Sequence, residues 1–261
     1  MTKLIAFAGK KQSGKTSASN FVVGSILLSK NVISQFRINK DSGALELECN
    51  EEDNFAEVDL LTTDVYLQNQ LQEQIWPYVK VYSFSDKLKS FCVDVLGVEP
   101  HKIYGNNDEK NELTHINWES VPKPDRRLDG DVWMPYKYNY SDKSGQMTGR
   151  EVMQYFGTDV CRAMYEPCWI NATLNSIKKD NPDVAIICDC RYFNEFSAIK
   201  DFGGYVIKLS RNVFNDNHIS EIDLDNIPND DFDWYIDNQN INLYQCHDQI
   251  APLLRKWKMI K

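Results

Sequence analysis

Positive charge is in short supply in this sequence. Lys and Arg number 29 against 38 Asp and Glu, leaving a net charge of −9. A chain this acidic is a poor general binder of polynucleotides and anionic membranes, both of which favour basic proteins. Long apolar runs are missing too. Leu4–Ala8 is too short for the core of a signal peptide, and no stretch approaches the ~18 apolar residues that span a bilayer. The expectation is a soluble, cytoplasmic protein. The seven cysteines (Cys49, Cys92, Cys161, Cys168, Cys188, Cys190, Cys246) form no Cys-x-x-Cys pair. Cys188 and Cys190 flank one residue, a poor spacing for zinc, so reduced buried thiols are expected. No internal repeat or low-complexity tract is present.

What is there is a pattern of short apolar runs. Leu4–Ala8, Val79–Phe84, Val184–Cys188, Tyr205–Ser210 and Trp234–Ile236 read as buried strands. Helical patterns separate several of them, which predicts a parallel sheet with helices on its faces. One helix is expected from an N-cap at Asp86, with Leu88, Phe91, Cys92, Val95 and Leu96 on one face and Gly97 as its stop. A second starts at Thr148-Gly149-Arg150-Glu151, a capping-box spacing. A third covers Asn194–Phe202, ended by Gly203-Gly204, and a last one runs from about Leu243 to Met259.

Two stretches depart from strand–helix alternation. Residues 33–49 alternate around Asn39-Lys40-Asp41-Ser42-Gly43, which predicts a β-hairpin, followed by an acidic segment and a helix near 59–76. Residues 105–147 are polar and aromatic, and within them Trp133–Tyr140 and Gln146–Thr148 are expected to pair. We read both as insertions, at about 31–78 and 100–147, on a single domain spanning 1–261.

Gly9-Lys10-Lys11-Gln12-Ser13-Gly14-Lys15-Thr16 matches G-x-x-x-x-G-K-[ST] in full, between an apolar strand and a helical pattern. The glycines let the backbone curl so that successive N–H groups face phosphate oxygens, and the following helix adds its positive end. Lys15 then reaches the β- and γ-phosphates and Thr16 holds Mg²⁺. The motif implies ATP or GTP binding but not a reaction. A GTPase would carry Asn-Lys-x-Asp late in the chain, and none is present; motor-type ATPases usually end a strand in two acids. Here Val184–Cys188 runs into Asp189-Cys190-Arg191. One acid followed by Arg suits a small-molecule kinase, the acid organising Mg²⁺ or water and the Arg offsetting charge on the transferring group.

Four further clusters could serve an acceptor. They are Phe84-Ser85-Asp86-Lys87-Leu88-Lys89; Arg150-x-x-x-Gln154-x-x-Gly157-Thr158-Asp159-x-x-Arg162; Arg191-x-x-Asn194-Glu195; and Asn217-His218-Ile219-Ser220-Glu221, which follows Arg211. Arg150 and Gln154 share a helix face. Gly157-Thr158-Asp159 is expected to interrupt that helix and present backbone and hydroxyl groups to a base. Singly, each cluster also fits a capping or solvated-surface role.

Taken in order, these blocks resemble the bacteriophage-type deoxynucleoside monophosphate kinases. The resemblance runs from Leu4 to about Ile250 and fails over about 31–78 and 100–140. It implies an α/β P-loop kinase fold with about five parallel strands and helices on both faces. It also implies γ-phosphoryl transfer from ATP to a deoxynucleoside 5′-monophosphate, a host-cytoplasm location for a phage protein, and often a homodimer. By matched position it assigns Lys10, Lys11, Ser13, Gly14, Lys15 and Thr16 to ATP and Mg²⁺; Gly9 and Arg211 are expected to join them at ATP, and Asp189 to join Thr16 at Mg²⁺. Leu88, Lys89, Arg150, Gln154, Gly157, Thr158, Arg162, Trp169, Arg191 and Glu195 fall to the acceptor. Lys15, Arg150, Asp189 and Arg191 act in transfer. Many family members have Lys-Asp where this chain has Lys15-Thr16.

The acceptor's phosphate is already anionic at neutral pH, so no general base is needed. Two alternatives stand beside this reading. One is a kinase for a hydroxyl acceptor, with Asp86 or Asp189 as base. The other is a non-catalytic nucleotide-binding regulatory module. The charge pattern favours a mononucleotide. Residues 212–254 hold no Lys or Arg and nine acids. The cations gather at the phosphate loop, Lys87, Lys89, Arg150, Arg162 and Arg191. An acidic shell around a small basic cleft disfavours polynucleotides.

Overall fold

The structure is a computed structural model and describes residues 2–48, 54–122, 142–213 and 223–261. In chain order the elements are β1 (Lys3–Ala8), α1 (Lys15–Ser29), β2 (Phe36–Ile38), β3 (Leu45–Glu48), β4 (Phe55–Val58), α2 (Val65–Gln74) and β5 (Val79–Tyr82). Then come α3 (Asp86–Asp94), α4 (Pro100–Tyr104), β6 (Leu113–Asn117), β7 (Gln146–Thr148) and α5 (Gly149–Gln154), which continues as a π-helical stretch (Tyr155–Arg162). The chain closes with α6 (Cys168–Asp180), β8 (Val184–Cys190), α7 (Phe193–Asp201), β9 (Tyr205–Leu209), β10 (Trp234–Ile236) and α8 (Leu243–Lys256). Contacts divide the chain into two units: 1–83 with 173–261, and 84–172.

The first unit is built on a five-stranded sheet in the order β10-β9-β1-β8-β5. Every pairing in it is parallel. All five expected strands are present, and the α/β class holds. A parallel sheet is buried on both faces, so its strands read as unbroken apolar runs rather than alternations. On one face Ile5, Phe7, Ile186, Ile207 and Ile236 meet Val22, Val23, Ile26 and Leu27 of α1 and Ile250, Leu253 and Leu254 of α8. On the other face α7 packs along β9 and β1. The C-terminal segment closes on the sheet through Trp257, stacked on Tyr205 at 4.2 Å.

The insertion in this unit is a three-stranded antiparallel sheet, β2-β3-β4. The expected hairpin is there: Phe36 pairs with Leu47 and Ile38 with Leu45. Asn39 closes its turn, its side-chain oxygen accepting from the N–H groups of Asp41 and Ser42 at 3.0 and 3.1 Å. β4 was not foreseen, because Phe55-Ala56-Glu57-Val58 follows an acidic segment and carries no turn signal. The sheet docks on α1 where Gly24 leaves room: a Cβ there would stand 2.3 Å from the Phe36 ring.

The second unit gathers Cys92, Val98, Ile103, Trp118, Met147, Val152 and Tyr155 into its own core. Asp86 is the first helical residue of α3 rather than its cap; that place is taken by Ser85, whose side chain makes no capping bond. Val95 lies past the helix end and is 64% exposed, so the apolar face is shorter than expected. β7 pairs with β6; its expected partner, Trp133–Tyr140, lies outside the described residues. The capping box at Thr148 forms: its hydroxyl accepts from the N–H of Glu151 at 3.2 Å, and the Glu151 carboxylate accepts from the N–H of Thr148 at 3.0 Å. The expected interruption at Gly157-Thr158-Asp159 is a widening instead, with the helix passing into π form from Tyr155. Such widenings concentrate at functional sites.

Candidate active site

β1 is the middle strand, and the phosphate loop begins where it ends. Gly9 (φ +146°), Gln12 (+58°) and Gly14 (+96°) take positive φ, which curls the loop so that neighbouring N–H groups converge. Gly9 has no room for a side chain. A Cβ there would lie 2.7 Å from both the Leu209 carbonyl oxygen and Ser13 Oγ. Lys15 is buried, and its ammonium donates to the carbonyl oxygens of Gly9 (2.7 Å) and Lys10 and to Ser13 Oγ (3.3 Å). These are the contacts a phosphate oxygen would compete for. α1 carries no acid in its first turn, so its positive end is not neutralised there. Thr16 is exposed at that end. It borders a cavity of about 230 Å³ whose lining includes Ser42, Glu57 and Asp59 of the insertion.

The neighbouring strand ends supply the remaining groups of this unit. Ala8 pairs with Cys190, which sets Asp189 and Arg191 beside the start of the loop. Ser83 Oγ donates to the Asp189 carboxylate. Cys190 is fully buried, and burial raises its thiol well above the usual range, which removes it as a nucleophile. Glu195, 2% exposed, accepts from the N–H groups of Arg191 (2.8 Å) and Tyr192 (3.1 Å). It therefore caps α7 and fixes the backbone at Arg191. Lys10 pairs with Asp225 at 2.9 Å. Arg211 lays its guanidinium on the carbonyl oxygens of Asn238 (3.1 Å) and Ile241 (2.9 Å).

Asn238 went unnoticed in the sequence. It sits just beyond β10, 3% exposed, and its side-chain N–H donates to the Ser13 carbonyl at 2.8 Å. Its side-chain oxygen accepts from the Arg211 N–H at 2.8 Å. The one available signal was its place after an apolar strand, where α/β sites lie.

In the second unit, Arg150 projects from the first turn of α5. Its Nε donates to Asn111 Oδ1 at 3.1 Å and its terminal nitrogen to Asn107 Oδ1 at 3.0 Å. Two carboxamides thus aim the guanidinium without cancelling its charge. Gln154, on the same helix, is exposed. Leu88, Gly157 and Trp169 come together: a Cβ on Gly157 would meet Leu88 at 2.6 Å, and the Trp169 indole N–H donates to the Gly157 carbonyl at 3.0 Å. Phe91 stacks on Phe156 at 4.4 Å. Lys89 stands 5.6 Å over the Tyr104 ring. Thr158 and Arg162 lie on the π-helical stretch. His218, Ser220 and Glu221 lie outside the described residues.

No three His, Cys, Asp or Glu side chains among the described residues could hold a metal together. The Thr16 hydroxyl and the Asp189 carboxylate, the two donors expected from the sequence, are both hard oxygens. Such a sparse set of hard oxygens suits Mg²⁺, which keeps several waters and takes phosphate oxygens. No helix of the described residues is long and apolar enough to cross a membrane.

A family model described as deoxynucleotide monophosphate kinase matches residues 135–245. A protein of Acanthamoeba polyphaga mimivirus named "Putative deoxynucleotide monophosphate kinase" is 28% identical over 159 residues, covering 56% of this chain and 68% of that one. The family match starts well after the phosphate loop, so loop and family are independent observations that agree. Over these residues the chain is similar to deoxynucleotide monophosphate kinases.

Proposed function

We propose that the protein transfers the γ-phosphoryl group of ATP to the 5′-phosphate of a deoxynucleoside monophosphate. The observation that carries this is the buried Lys15 ammonium, held over the loop by Gly9, Lys10 and Ser13 oxygens, beside a strand end bearing Asp189 and Arg191. An acceptor phosphate oxygen attacks the γ-phosphorus, the bond from that phosphorus to the bridging oxygen breaks, and ADP leaves. The acceptor oxygen is already anionic, so the task is to hold two anions in line and offset their repulsion.

Loop N–H groups and Lys15 take up the donor's phosphates. Thr16 and Asp189 would hold Mg²⁺, which would supply positive charge to offset that of the phosphates. Arg191 faces the transferring group, its backbone fixed by Glu195. Arg150 holds the acceptor's phosphate, while Leu88, Gly157 and Trp169 give the base an apolar seat, with Lys89, Gln154, Thr158 and Arg162 at its edges. Arg211 serves the donor's base side.

The test is a panel of deoxynucleoside monophosphates, ribonucleoside monophosphates and nucleosides with ATP and Mg²⁺, reading ADP. ADP release and a deoxynucleoside diphosphate product are expected with at least one deoxynucleoside monophosphate. Turnover of nucleosides alone would move the reading to a hydroxyl acceptor.

A further inference from the structure

Asn238 ties three backbone segments together through one buried carboxamide. Its side-chain N–H donates to the Ser13 carbonyl, its side-chain oxygen accepts from the Arg211 N–H, and its own carbonyl accepts from Arg211 Nε. Its backbone N–H donates to Ser210 Oγ at 3.1 Å. The bond to Ser13 has a geometric consequence. A trans peptide is planar, with its C=O and N–H on opposite sides. Holding the Ser13 oxygen outward against Asn238 therefore turns the Gly14 N–H the other way, into the loop, where a phosphate oxygen would sit. Asn238 lies against this point of the loop: a Cβ on Gly14 would stand in ordinary contact with the Asn238 side-chain nitrogen, at 3.6 Å.

We propose that Asn238 is a positioning residue for the donor nucleotide. It sets the direction of the Gly14 N–H and fixes Arg211 relative to the phosphate loop. This rests on the kinase reading above. Asn238 touches no reacting atom; it acts through Ser13–Gly14 and Arg211.

The experiment measures ATP and ADP binding by calorimetry, with Mg²⁺, for wild type, Asn238→Ala, Asn238→Asp and Gln239→Ala. Asp keeps the acceptor for the Arg211 N–H and removes the donor to Ser13. Gln239 accepts from the Asn212 N–H at 3.0 Å in the same turn, away from the loop. Loss of roughly tenfold or more in ATP affinity is expected for both Asn238 variants, in line with a preorganised donor losing its aim. Gln239→Ala should bind within about twofold of wild type. In turnover assays the KM for ATP should rise while the KM for the monophosphate holds.

ATP affinity unchanged in either folded Asn238 variant overturns the proposal. So does an equal loss in Gln239→Ala, which would mark general loosening of the turn. The Asp variant adds a charge, so its binding is also measured at about 0.1 and 0.5 M KCl; a loss abolished at high salt is charge alone and likewise overturns it. A wild type that binds ATP but phosphorylates no deoxynucleoside monophosphate ends the kinase reading, and weakened binding in the variants would still support the role of Asn238.

Discussion

The Lys15 ammonium lies 2.7 Å from the carbonyl oxygen of Gly9, so the buried cation of the loop closes on the residue that opens the loop. Lys15 is thus held as a loop strut, and in the proposed function the same ammonium takes up phosphate. Lys15→Ala is expected to lower kcat on the order of a hundredfold or more, the size of losing an aimed charge. A fall of less than about threefold in steady-state assays would argue against catalytic use of the loop.

Arg150 is aimed by Asn107 and Asn111, neither of which neutralises it. Arg150→Ala should raise the acceptor KM on the order of tenfold and lower kcat, with ATP binding near normal, because a charge-assisted hydrogen bond is lost. Asn111→Ala should move the same constants less, since Asn107 still holds the guanidinium. Initial-rate kinetics with both substrates varied separates these effects; an unchanged acceptor KM in Arg150→Ala would remove that residue from the acceptor's phosphate.

Gly24 is a helix-interior glycine, and Ala in its place would ordinarily add about 1 kcal/mol of stability. Here the added methyl would stand 2.3 Å from the Phe36 ring. Overpacking of this kind costs about 1–3 kcal/mol, so Gly24→Ala is expected to be net destabilising. Shortening the opposing residue in Gly24→Ala/Phe36→Leu should recover part of the loss. Urea unfolding checks both; a single variant more stable than wild type would show that the insertion does not press on α1.

His247 links α8 to α1, its ring stacked on Phe21 at 4.3 Å and its Nε2 3.3 Å from Ser17 Oγ. Burial lowers its pKa from 6.5 to about 4, against a smaller opposing pull from Asp248. Between those values the unfolded chain binds the proton and the folded one does not. Stability should therefore fall as the pH drops below about 6.5, by about 2 kcal/mol at pH 5 from this group. His247→Gln should lose that component of the slope. The check is urea midpoints at several pH values for both proteins, and parallel slopes would refute the assignment.

The parallel sheet was legible because burial on both faces makes each strand an apolar run. The phosphate loop was legible because its spacing is set by backbone geometry that only Gly tolerates at two points. Other features depend on neighbours that sequence spacing does not encode. β4 is a strand because β3 offers it an edge, not because Phe55-Ala56-Glu57-Val58 carries a pattern of its own. The π-helical widening is a backbone hydrogen-bonding choice. Asp86 has a capping side chain, yet it falls one residue inside α3. Asn238 is a single polar residue with three contacts distant in sequence, and Glu195, expected beside the acceptor, also caps α7 and fixes the backbone at Arg191.

β1 is flanked on both sides, by β8 and β9, while β5 and β10 form the edges. The edges can fray without releasing the strand that feeds the phosphate loop. Amide protons of β1 should be among the slowest in the first unit to exchange with deuterated solvent, since inner strands open only with the cooperative whole. The loop proposed to grip the nucleotide is thereby tethered to the part of this unit expected to open last.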